Sequence, residues 1–104
     1  SQPRMPCATI ERHFQSKGMV AAILASGRCG WYFRVIEEGD AQAGDALVRV
    51  ADTGSPLSVR EVFSAVAEPN RPAPVELLAE IEECRFLAAE WRDKARAKLT
   101  RRAC

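Results

Sequence analysis

The chain has 104 residues, one domain or a piece of one, and a chain of this size buries only about two-thirds of the surface it exposes when unfolded. Lys and Arg number 15 against 14 Asp and Glu, so the net charge singles out neither nucleic acid nor an acidic partner; acid dominates 76–83 and base dominates 92–102. The longest apolar run, Met19 to Ala25, is far too short to cross a bilayer, nothing in these residues resembles a secretory signal, and four cysteines without a C-x-x-C pair, beside the single His13, exclude zinc-finger spacing. These features predict a soluble, cytoplasmic protein with free thiols; disulfide pairing of the even cysteine count is the alternative.

SQPRMPC opens the chain without an initiator Met, as a cut chain would. Pro3 and Pro6 hold this start extended and away from helix. Thr9, Ile10, Arg12 and Phe14 then predict a strand near 7–14. Met19, Val20, Ile23 and Leu24 sit at helical spacing, giving a short helix near 17–26 with Gly27 just past its end. GWYFRVIEE at 30–38 is rich in aromatic and β-branched residues and alternates with period 2. It predicts a strand with Trp31, Phe33 and Val35 facing the core. Gly39 and Gly44 mark a long turn, and ALVRVA at 46–51 predicts the returning strand of a hairpin.

DTGSP at 52–56 breaks the composition and is the best linker candidate. Beyond it the period changes from 2 to 3.6. Ser58 with Glu61 forms a capping-box pattern ahead of a stripe of Val59, Val62, Phe63 and Val66. EPNRPAP stops that helix. Pro74 suits the first position of the next, which buries Leu77, Leu78 and Ile81. A third helix, near 86–100, carries Leu87 or Ala88, then Trp91, Ala95 and Leu99, with Glu90 and Lys94 as an i,i+4 pair. The predicted class is α+β: residues 1–54 supply the strands and short helix, and residues 55–104 a three-helix unit.

Cys7 is the sharpest candidate for chemistry. Arg4 can lower the pKa of its thiol, and a thiolate is both a nucleophile and a soft ligand for a transition metal, molybdenum included. The competing role is an ordinary buried Cys at the start of a strand. His13 can act as acid or base but sits in a polar stretch, as a solvated His does. Cys29, between Arg28 and Gly30, is oxidisable or a bystander; Cys84 falls at a helix junction, as core; Cys104 is terminal. Glu37, Glu38, Asp40 and Asp45 lack the calcium-loop pattern and are explained as a solvated turn. Arg92, Lys94, Arg96, Lys98, Arg101 and Arg102 suit a helix C-terminus. A nucleic-acid module of helix-turn-helix type is the alternative, weakened because that helix has no Asn or Gln to read adenine.

SQPRMPC, GRCGWYFRVIEEGDAQAGD and SVREVFSAV…FLAAEWRDKARAKL together resemble the MOSC family, named for the C-terminal domain of molybdenum cofactor sulfurase, and within it the YiiM-like branch with its C-terminal 3-alpha domain. The resemblance implies a partial MOSC β-barrel followed by three helices, and molybdenum cofactor (molybdopterin) bound by the full-length protein. It implies reduction of N-hydroxylated bases and related compounds, with electrons from a separate or fused reductase. Cys7 would be the thiolate on molybdenum, and Arg4 would lie near the pterin phosphate or the metal's oxo groups. Sulfur carriage through a Cys7 persulfide is a related expectation. The family often has Lys two residues after the Cys; here Thr9 stands there. Whole proteins of this branch are about two domain units long, so the chain is expected to be the C-terminal half, inactive alone. Strands lacking their barrel partners leave open edges, so either a homodimer through those edges or a changed topology is expected. The remaining alternatives are a partner-binding helical module and a unit that only covers one end of the barrel.

Overall fold

The computed structural model describes residues 1–50 and 54–102. Seven elements follow in chain order: β1 (Gln2–Pro3), α1 (Ala8–Phe14), α2 (Met19–Ser26), β2 (Trp31–Tyr32), α3 (Val59–Val66), α4 (Val75–Glu83) and α5 (Ala89–Arg102). The class is α+β, as expected.

The core belongs to the three C-terminal helices. Ser58 accepts from the Glu61 N–H at 3.1 Å while the Glu61 carboxylate accepts from the Ser58 N–H at 3.3 Å, closing the capping box the sequence predicts. The stripe then buries Val62, Phe63, Ala65 and Val66 against Leu78 and Ile81 of α4 and Trp91 and Ala95 of α5. Pro74 stands one position earlier than expected, as the N-cap of α4. α5 begins at Ala89, because Cys84 to Ala88 turn the chain between the helices. Glu90 and Lys94 pair at 3.6 Å, and the Lys94 ammonium lies 4.9 Å from the Trp91 ring centre.

The first half departs from expectation in three places. Residues 8–14 form helix α1, not a strand. Cys7, in extended conformation after Pro6, is its N-cap, and Ala8, Glu11 and Arg12 are good helix formers. The Glu11 carboxylate accepts from the Val20 N–H at 3.1 Å, so it caps α2, whose own N-cap, Gly18, has no side chain. Second, of residues 30–38 only Trp31 and Tyr32 form strand, antiparallel to β1 in the register Gln2↔Tyr32 and Pro3↔Trp31. Trp31, Phe33 and Val35, expected in the core, are exposed. Third, residues 46–50 form no strand; Ala51 lies outside the described residues. The pleated pattern is written in the sequence, but a ladder needs a neighbour, and only Trp31 and Tyr32, with the Gly30 carbonyl before them, find one. The radius of gyration, 15.8 Å, exceeds the roughly 13 Å of a compact 100-residue domain, because residues 33–50 lie off the core.

The helix at 17–26 is confirmed as α2. It ends at Gly27, whose φ of +72° is left-handed, and a Cβ there would stand 2.8 Å from Arg60 Cγ of α3. Ile23 and Leu24 pack on the helical core, so α2 joins the two halves. Segment 1–4 joins them as well. The Ser1 amine donates to the Tyr32 carbonyl at 2.7 Å, and the Arg4 N–H to the Gly30 carbonyl at 3.1 Å. The Ala88 N–H donates to the Ser1 carbonyl at 2.8 Å, and Pro3 is fully buried.

A candidate thiolate cleft

The turn from β1 into α1 carries Arg4 to Cys7 along one wall of a cleft of about 400 Å³. Thr9, Ile10, His13 and Phe14 of α1 continue that wall, and Ile23 and Cys29 face it. The structure therefore brings Cys7 and Arg4 to one cavity. It also brings His13 and Cys29 there, two residues the sequence favours as bystanders.

Cys7 is exposed and caps a helix; it is not a buried residue at the start of a strand. Its thiol pKa is lowered. The Thr9 hydroxyl is the largest cause, the Thr9 N–H the next, with smaller help from the Ile10 N–H and, last, from the Arg4 charge; partial desolvation opposes them. Arg4, the cause expected from sequence, is thus the least of the four. The thiol closes no capping hydrogen bond, so these groups act as dipoles poised for the anion. Cys29 is half-buried and its Sγ–H donates to the Gly30 carbonyl at 3.1 Å. Cys84 is a half-buried helix cap, and Cys7, Cys29 and Cys84 are all free thiols, as predicted; Cys104 lies outside the described residues.

Alkylation should follow this order. Cys7 is expected to react before Cys29 and Cys84, with a rate that reaches half its plateau at a lower pH than an ordinary thiol. Thr9→Val should move that midpoint back up, since it removes the largest stabiliser of the thiolate. Peptide mapping after a pH series of alkylation reads both; a midpoint unmoved by the substitution contradicts the assignment.

Among the described residues no three His, Cys, Asp or Glu converge to hold a metal by themselves. Asp45 instead accepts from the Gln42 N–H at 2.9 Å, within the solvated turn. One accessible thiol of lowered pKa with a cation nearby fits a metal whose other ligands arrive with an organic cofactor.

A small two-stranded pair joined to helices, with a P-R-x-P-C turn opening on a cleft, defines a partial MOSC fold. Residues 1–48 match the MOSC domain model. YiiM from Geobacillus stearothermophilus superposes on 95% of this chain with a TM-score of 0.80 and 29% identity, so the likeness takes in the three helices. The uncharacterized protein YflK of Bacillus subtilis (strain 168) is 38% identical over 60 residues, 58% of this chain. The chain spans 50% of the YiiM chain, and the match covers 27% of YflK. The chain is thus similar to MOSC proteins over its first 48 residues and to YiiM over nearly its whole length.

Proposed function

We propose that this chain is the thiolate-bearing and helical part of a molybdenum-cofactor MOSC oxidoreductase, with residues 1–54 in the barrel and 55–104 as a three-helix unit. One observation supports it most: Cys7 is exposed on a cleft, beside Arg4, with a lowered pKa. Cys7 would ligate the metal, and Arg4 would hold the phosphate or an oxo group. Thr9 takes the place of the Lys common in the family and stabilises the thiolate through its hydroxyl rather than through charge. When bound, the cofactor supplies two-electron reduction of N–O bonds in N-hydroxylated substrates. The electrons come from a separate or fused reductase.

In the natural protein at full length, Cys7→Ser should remove most of the molybdenum and pterin that co-purify with it. Elemental analysis and pterin fluorescence measure this, and unchanged molybdenum sinks the assignment.

The same exposed thiol, its pKa lowered, supports a second reading, sulfur carriage. Cys7 would attack the outer sulfur of a donor persulfide and release the donor's thiolate; mass spectrometry should then find one added sulfur on Cys7. No helix among the described residues is long and apolar enough to cross a membrane; a cytoplasmic setting is part of the same proposal. The basic side chains of α5 support a role within the protein over nucleic-acid binding. Arg92 donates to the Glu82 carbonyl, Arg96 to Glu82 and Asp93, and Arg101 to the Pro69 carbonyl.

A further inference from the structure

Lys98 is the one charged side chain buried among the described residues, 6% exposed. From α5 its Nζ donates to the Ala65 carbonyl, at the end of α3, at 2.6 Å and to the Arg71 carbonyl at 2.8 Å. Two carbonyls satisfy two of the three ammonium protons but carry no formal charge. Lys98 has no ion pair among the described residues.

Beside it lies a cleft of about 250 Å³ between the turn at 69–73 and α5, lined by Asn70, Arg71, Leu78, Lys98 and Arg101. Arg101 donates one N–H, from Nη2, to the Pro69 carbonyl at 2.9 Å; a guanidinium has five to give. Arg71, spread between the Leu24 carbonyl and Glu68, adds a third cation. Glu68 is the carboxylate that faces them, and it is already taken by Arg71. The excess of positive charge is felt at Lys98. Behind burial itself, Arg101 and Arg71 lower its pKa, and Glu68 opposes them only in part.

We propose that this cleft binds a small oxyanion of the phosphate class, held by the remaining ammonium proton of Lys98 and the remaining guanidinium protons of Arg101. A tetrahedral oxyanion brings both the missing charge and several acceptors to the donors that line the cleft, and Arg suits such an anion through paired N–H bonds. The volume far exceeds the roughly 30 Å³ of one water, so there is room for the anion. This cleft shares no lining residue with the Cys7 cleft, and the inference stands apart from the cofactor reading.

The probe is inorganic phosphate, titrated into the isotopically labelled chain, with sodium chloride at matched ionic strength as the control and a nucleoside monophosphate as a second arm. Phosphate should produce saturable amide shifts confined to residues 69–73 and 98–101, absent with chloride. Arg101→Gln should weaken binding about tenfold, the loss of one charge-assisted contact. Lys98→Met should abolish it; if that variant does not fold, Arg101→Gln decides alone. Tighter binding of the nucleoside monophosphate identifies phosphate esters as the source, and equal binding identifies free phosphate. Shifts that track ionic strength in both salts, or equal phosphate binding by Arg101→Gln, overturn the proposal.

Discussion

Phe63→Ala is expected to cost about 3–5 kcal/mol and to loosen all three C-terminal helices in one transition. Phe63 is wholly buried among Val66, Leu78, Ile81, Trp91 and Ala95, contributed by all three helices. Removing the ring leaves a cavity where α3, α4 and α5 meet, and the buried apolar residues among those described form this one cluster. Small domains are stable by only roughly 5–15 kcal/mol, so the loss is a large fraction of the total. Urea unfolding followed by helical circular dichroism gives the magnitude. The two tryptophans give the location: Trp91 is 1% exposed and Trp31 is 55% exposed, so only Trp91 emission should shift to the red. Val59, on the same helix but 36% exposed, should tolerate Ala at a small fraction of that cost. A change below about 1 kcal/mol for Phe63→Ala, as for a surface substitution, contradicts this description of the core.

The second large effect is self-association of the isolated chain. Ile36, Leu47 and Val50 are each more than 90% exposed, and Phe33, Val35 and Val48 more than 70%. Scattered apolar residues on a surface are ordinary, but this many within 18 positions make a continuous sticky segment. Its backbone groups make no ladder either, so a second copy can satisfy both needs by strand pairing. Sedimentation is expected to show a dimer or larger species that dissociates on dilution, with strong binding of an apolar fluorescent dye. Ile36→Lys with Val48→Lys should shift the chain toward monomer while leaving the melting of the helices unchanged, because neither residue touches the core. A monomer at high concentration, or a double variant that associates as before, counts against the homodimer.

The sequence made some of this legible, for reasons visible at particular residues. The three C-terminal helices could be read because Val62, Phe63 and Val66, or Trp91 and Ala95, are truly buried, and burial is what writes a 3.6-residue period. Ser58 and Glu61 act across one turn, so their pattern is local and complete. α1 has no buried residue, and a helix without a buried face leaves no period to read. GWYFRVIEE shows the opposite case: the alternation is present and the pairing is not. At the site, the P-R-x-P-C motif pointed to Cys7. It did not reveal that the Thr9 hydroxyl outranks Arg4, since that depends on Cys7 beginning a helix instead of a strand. His13 and Cys29 reach the cleft only because α1 turns back on α2, a contact fixed by Glu11 at the Val20 amide.

Segment 1–4 has a kinetic consequence. Its amide and carbonyl groups hold Gly30 and Tyr32 on one side and Ala88 on the other, with Pro3 buried between. When that segment lifts, the Ala88 amide ahead of α5 and the wall carrying Arg4 lose their protection in the same event. The thiol cleft and the helix ends should therefore exchange deuterium on a shared clock. Whatever clamps Cys7 in place would slow that clock at Ala88, a long way along the chain from the sulfur.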